Sequence, residues 1–287
     1  MTKPRGSRTW EWPDGAKIAI AVGLALEDFN QRSQARVEGQ SGNASHFSLS
    51  YGHYGWKAGV WRLLDLLDEF AIKANMVTNA QAAELRPEVV RAVADAGHEI
   101  GGHGWVNDAL TPEDDAETER AMVRRCTEAL IAAAGTRPLG WISPGLACSR
   151  HTCQILVEEG YLWNGDDASD DLPFLRETPK GSIVILPRTN MPQNDLFMWL
   201  LTKNPPDVIW RGFKDTFDEL YAEGTRGAPK WTEITLHAHI AGRPTLIPTI
   251  RQCLAYAKQH DGVWFARPTE IARWALERER KTKSMNP

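Results

Sequence analysis

Short apolar runs alternate with longer amphipathic segments along the chain. Ala16 to Leu24, AKIAIAVGL, predicts a buried strand that runs into Glu27 and Asp28. Residues 30 to 58 are rich in Gly, Ser, Asn, Tyr and His. They read as a long irregular loop, of a length that implies function or mobility. Val60 to Phe70 is an amphipathic helix with Val60, Leu63, Leu64, Leu67 and Phe70 on its apolar side. Ile72 to Thr78 is a second strand. A helix starting at Pro87 is stopped by Gly97, and His98 to Gly101 forms a short third strand.

The same alternation continues. Thr111-Pro112-Glu113-Asp114 has a capping residue, a proline at the first helical position and early negative charge, so it predicts a helix start, with the end near Gly135. Leu139 to Ile142 is a strand leading to Ser143-Pro144-Gly145, and Ser149 caps a helix that Gly160 closes. Tyr161 to Asn164 and Ile183 to Leu186 are strands separated by the polar loop GDDASDDLP. Then follow a helix over Phe213 to Tyr221, a strand over Trp231 to His237, a helix over Leu246 to Gln259, a strand over Val263 to Ala266 and a charged helix from Pro268 to Arg280.

About eight strands alternating with helices, with no linker between them, favour one α/β domain closed as a (β/α) barrel. A doubly wound sheet is the alternative. It lacks support, because no Gly-x-Gly-x-x-Gly follows the first strand and no Gly-rich loop ends in Lys-Ser/Thr. A nicotinamide dehydrogenase or nucleotide hydrolase is therefore not expected.

Composition changes this picture little. The 287 residues are 42% hydrophobic and 24% charged, with a formal net charge of -4, which favours neither nucleic acid nor an anionic membrane as partner. No apolar run reaches membrane-spanning length, and none follows Lys3, Arg5 and Arg8 before Trp12-Pro13, so a cytoplasmic location is expected. The four cysteines show no Cys-x-x-Cys spacing; Cys126 and Cys253 fall in helical stretches and read as small core residues.

The candidate chemistry sits where strands end. His237 and His239 lie in LHAHIAGRP at the end of a strand. The imidazole of His237 titrates near neutrality and suits acid–base work. Arg243, in the same motif, can bind a carboxylate or anchor a loop. Glu27 and Asp28 end the first strand, the position where barrel enzymes keep catalytic groups. His98, His103, Trp105, Asn107 and Asp108 cluster after the third strand. His103 and Asn107, four apart, can converge, but an amide is a poor zinc ligand. His98 can instead be structural, donating a ring N–H to a neighbouring loop. Trp105, Trp141 and Trp163 sit at strand ends, where a side chain can line a pocket or pack a core.

Several ordered motifs resemble the polysaccharide deacetylase superfamily, the NodB-type domain. GHEIGGHGW with Asn107 and Asp108 resembles its second motif, and VWRLLDLLDEFAIKANMVTNA its helix and following strand. LALEDF resembles the first motif, normally an Asp-Asp pair; GWISPG resembles the third and LHAHIAGRP the last. The resemblance spans roughly Pro13 to Trp274 of a single domain occupying residues 1–287. The stretch from GWISPG to DDLPF, with the LHAHIAGRP ending, is similar to a subgroup containing bacterial allantoinase and cyclic imide hydrolase. This likeness implies a distorted, TIM-barrel-like (β/α) barrel of seven or eight strands, a homotetramer, and hydrolysis of C–N bonds in amides, ureides or imides.

Carried over by motif, the catalytic base is Glu27, the general acid His237, and the metal positions Asp28, His103 and Asn107. Two departures stand out. Glu27 is longer than the usual Asp, and Asn107 replaces a metal histidine. The resemblance therefore leaves open a weak zinc or other divalent site, a different ligand such as Asp108, or metal-independent activity.

The leading expectation is hydrolysis of a small cyclic or linear amide, with Trp105, Trp141, Arg243 and His239 contacting the substrate. Metal-dependent N-acetyl-sugar deacetylation and a catalytically silent binding or scaffold barrel are the alternatives.

Overall fold

The computed structural model describes residues 9–37, 41–107, 115–189 and 193–285. Its first strand, β1 (Ile18–Leu26), explains the architecture, because all nine of its residues are buried. Alternation sends Ile18, Ile20, Val22, Leu24 and Leu26 to one face, where they join a core with helical residues such as Val60, Leu63, Val90 and Leu254. Ala19, Ala21 and Ala25 face the other way, toward Trp163, Val184 and Trp231. Large side chains therefore seal the sheet against its helices, while on the inner face Ala19 and Ala21 make room for buried tryptophans and Gly23 and Ala25 border a cavity.

The other strands are β2 (Asn75–Thr78), β3 (Glu99–Gly102), β4 (Gly140–Trp141), β5 (Trp163–Asn164), β6 (Phe174–Thr178), β7 (Gly181–Ile185), β8 (Lys230–His237) and β9 (Val263–Phe265). They form one sheet in the order β6-β7-β5-β4-β3-β2-β1-β8, with β9 also paired to β1. Every pairing is parallel except the β6–β7 hairpin. The sheet curls into a distorted (β/α) barrel with an open seam, since β7 and β8 share no backbone ladder among the described residues.

The helices are α1 (Gln31–Val37), α2 (His46–Tyr54), α3 (Val60–Glu69), α4 (Ala80–Leu85), α5 (Pro87–Asp95), α6 (Ala116–Ala134), α7 (Thr152–Glu158), α8 (Asp207–Thr225), α9 (Ala238–Ala241), α10 (Ile247–Lys258) and α11 (Pro268–Met285). On α3, Val60, Leu63, Leu64, Leu66 and Leu67 are buried, as its periodicity predicts. Each such side chain contributes about 1.5–3 kcal/mol by burial. Among the described residues no helix is long and apolar enough to cross a membrane.

Three expectations change. Residues 30 to 58 are not an irregular loop: α1 and α2 lie within them, and Ser45 caps α2 by accepting the Ser48 N–H. The glycines here serve close packing. A side chain at Gly55 would meet the backbone of His239, and one at Gly59 would meet the Ala238 carbonyl. The β6 strand was not predicted; its residues are only partly buried and its pattern is weak. His98 anchors a neighbouring segment, but as an acceptor: its Nδ1 takes the Ala74 N–H at 3.0 Å. Burial, reinforced by Lys73, lowers its pKa to about 4, which keeps that acceptor unprotonated. Thr111 to Asp114 lie outside the described residues; Asp115 caps α6 by accepting the Thr118 N–H.

Candidate active site

Glu27 directly follows β1 and continues the inward row of Gly23 and Ala25. It is 5% exposed. Its Oε1 accepts an N–H from the Asn107 amide and lies 3.5 Å from His103 Nε2, and its Oε2 lies 3.7 Å from His239 Nδ1. Burial alone would raise the carboxyl pKa. The His103 contact and the field of His237 outweigh it and hold the group well below the usual carboxylate range. Glu27 is therefore an ionised acceptor at neutral pH.

His237 ends β8, opposite Ala25 in the parallel register. Its Nδ1 meets Asp195 Oδ1 at 2.7 Å, and Asp195 Oδ2 accepts the backbone N–H groups of His237 at 2.8 Å and Ala241 at 3.0 Å. Asp195 is fully buried. Burial disfavours the imidazolium, but the Asp195 and Glu27 carboxylates favour it more, and the pKa rises to about 9. With Nδ1 committed to Asp195, the Nε2 proton is the one left to give away.

His239 breaks strand alternation because α9 begins at Ala238, yet its ring still reaches the site, 5.9 Å from that of His237. Burial pushes its pKa down to about 4, despite the opposing pull of Glu27. It is thus a neutral neighbour of Glu27 rather than an ion-pair partner.

Glu27, His103, Asn107, His237 and His239 all line one cavity of about 370 Å³. Its apolar wall includes Val77, Ile142, Leu146, Leu196 and Phe197. Such a volume suits a small molecule.

Trp105 and Trp141, expected to contact the substrate, are not among the cavity's lining residues. Alternation on β4 sends Ile142 inward and Trp141 outward, beneath α6 and α7, where Trp141 is 1% exposed against Tyr161. Trp105 stacks under the Arg125 guanidinium, 3.5 Å from its ring centroid. Trp163 is likewise buried, with its N–H directed to Glu99 and Thr269. Arg243 is a strut rather than a cavity residue. It donates to the His239 and Tyr51 carbonyls and lies over the Tyr51 and Tyr54 rings. It thereby fastens α2 to the turn that carries His239.

The expected metal positions do not assemble. His103 is oriented as a ligand would be: its Nδ1–H donates to the Ile142 carbonyl at 2.7 Å, which leaves Nε2 toward the cavity. Asn107 instead turns its NH₂ to Glu27, and Asp28 is outside the cavity lining, 3.8 Å from His53. Among the described residues no three His, Cys, Asp or Glu side chains converge on a metal position; Asp108 lies outside those residues. One imidazole and a neutral amide do not fit a tightly held divalent ion. Purified protein is expected to carry clearly less than one zinc per chain after dialysis, measured by elemental analysis. Asn107→His is expected to raise zinc affinity. Stoichiometric zinc in the unmodified protein would show that other groups complete a site.

Sequence reasoning missed Asp195. It lies in a polar stretch with no strand or motif signal, and only the fold brings it 42 positions along the chain to His237. Asp166, in the polar loop GDDASDDLP, is half-buried and holds the third motif by accepting from Ser143 N, Ser143 Oγ and Asn164 Nδ2.

The barrel thus ends one strand on an ionised carboxylate and the neighbouring strand on a cationic histidine, and both line one cavity. The polysaccharide deacetylase family model matches residues 47–162. The crystal structure of Puue allantoinase is 33% identical, each chain covered over 91%, with a TM-score of 0.81. The probable polysaccharide deacetylase of Pseudomonas aeruginosa PAO1 is 32% identical over 91% of this chain and 92% of that one, with a TM-score of 0.82. The peptidoglycan deacetylase of Helicobacter pylori is 24% identical over 84% of this chain and 92% of its own. The chain belongs to the polysaccharide deacetylase family and is a hydrolase acting on carbon–nitrogen bonds.

Proposed function

We propose that the substrate is a small cyclic or linear amide of imide or ureide type. The observation that carries this reading is the small cavity holding both Glu27 and His237. In this reading Glu27 accepts a proton from a water that attacks the carbonyl carbon, and His237 protonates the departing nitrogen. Asn107 orients the Glu27 carboxylate through its NH₂, and the apolar wall lowers the local dielectric and strengthens the interaction of both charges with the substrate.

A second reading, removal of an N-acetyl group from a sugar, draws support from the Helicobacter pylori relative. Against it stands the interrupted metal motif at Asn107. A panel of hydantoin, succinimide, allantoin and N-acetylglucosamine oligomers, assayed with and without zinc and chelator, separates the two. Turnover of a cyclic imide or ureide that chelator leaves unchanged is expected. Zinc-dependent release of acetate from the oligomers alone would replace this reading with the second.

A further inference from the structure

The same cavity has a second polar end. On β8 the inward row runs Glu233, Thr235, His237, so Glu233 lies about 13 Å below His237 along the strand, at roughly 3.3 Å per residue. Facing it is Arg188, from the segment after β7. Arg188 Nη1 lies 3.2 Å from Glu233 Oε2, and its Nη2 donates to Thr235 Oγ1 at 2.7 Å. Both charged side chains are more than nine-tenths buried, at 7% and 5% exposure, and both line the cavity. Gly23 on β1 makes room for them: a Cβ there would collide with the Glu233 carboxylate.

Part of this cluster's role is structural, since it ties β7 to β8 across the open seam. That role leaves something unused. Each terminal nitrogen of Arg188 carries two N–H groups and has one partner among the described residues, Nη1 with Glu233 and Nη2 with Thr235, so each keeps a donor, while Nε is sealed from the cavity. A guanidinium has five N–H donors and a carboxylate about four acceptor sites, so the pair retains capacity for a ligand on both sides. Their charges cancel, so the pair favours a neutral group that both accepts and donates over a carboxylate.

We propose that Arg188 and Glu233 form a recognition pole for a second amide-type group of the substrate. Its carbonyl oxygen accepts from the guanidinium, and its neighbouring N–H donates to the carboxylate. This deepens the small-amide reading and rests on it for the position of the scissile bond. It assigns the substrate a class: bifunctional amides, ureides or imides, with one C–N group at Glu27 and His237 and another held lower in the barrel.

The test compares glutaramide, which has two carboxamides, with butyramide, which has one. Their dissociation constants are measured by titration calorimetry on the intact protein and on Arg188→Met, Glu233→Gln and Gly23→Ala. The unmodified protein is expected to prefer glutaramide by about 10- to 100-fold, the range for hydrogen bonds to charged groups. Each variant is expected to bring that ratio toward one. Glu233→Gln keeps the shape of the seam, and Gly23→Ala displaces the carboxylate without removing it, so the test survives if Arg188→Met fails to fold. A ratio near one in the unmodified protein, or a preference that every folded variant keeps, overturns the proposal. Hydrolysis is scored separately. Preferential binding without hydrolysis leaves the pole standing and removes the reaction; hydrolysis without preference does the reverse.

Discussion

Glu27→Gln is expected to lower kcat on any true substrate by about 10²- to 10⁴-fold, the range for losing a positioned general base. Glutamine keeps the length and the hydrogen-bonding shape of the side chain, so the loss reports the charge rather than a collapsed cavity. The carboxylate is held below its usual range, which makes it a weak base while His237 is protonated. The two groups are coupled: each stabilises the charged form of the other. As His237 gives its proton to the leaving nitrogen, its share of the field that depresses Glu27 is lost, while the His103 contact remains, and Glu27 becomes a stronger acceptor. Proton uptake at one end and release at the other therefore assist one another. Circular dichroism and a melting curve establish that the variant is folded. If folded Glu27→Gln keeps activity within a few-fold, Glu27 is not the base.

The barrel was legible from its strands because β1, β2 and β8 are long enough or apolar enough to stand out, and their ends located Glu27 and His237. The error over residues 30 to 58 has a physical origin. Gly52, Gly55 and Gly59 suggest a loop, yet Gly55 and Gly59 are small because the turn after α2 presses against the backbone of α9, and Gly52 because Phe29 and Gln34 pack on α2. The tryptophans misled for a related reason. Trp141 does end a strand, but a two-residue strand leaves its facing undetermined until the neighbouring helices are known. One legible signal went unread. IAIAVGLAL alternates large and small residues, and the small row is the one that hollows the barrel beside the site. Asp195 and the Arg188–Glu233 pair had no sequence signal, because each is joined to the site only by tertiary contacts from chain far away in sequence.

The pH profile of kcat/KM, which reports the free enzyme, is expected to fall on the basic side near pH 9 and to stay flat through the ordinary carboxylate range. The signs follow from the two shifts. Activity needs His237 protonated, and its raised pKa extends that form upward, so the rate is lost as pH rises through about 9. Activity also needs Glu27 ionised, and its lowered pKa keeps it so well below neutrality. His237→Ala is expected to reduce kcat by about 10²-fold or more and to remove the basic limb. Asp195→Asn is the sharper test, because it leaves the imidazole in place and removes the carboxylate that raises its pKa most. The basic limb is then expected to move to lower pH, so the variant loses more activity at pH 8 than at pH 6. His239→Ala is expected to cost less, since that ring is already neutral and its remaining N–H is far too weak an acid to protonate the leaving nitrogen. A basic limb that stays in place in Asp195→Asn would show that the limb does not belong to His237. Full activity in His237→Ala would remove the imidazole from the reaction and leave Glu27 without its acid.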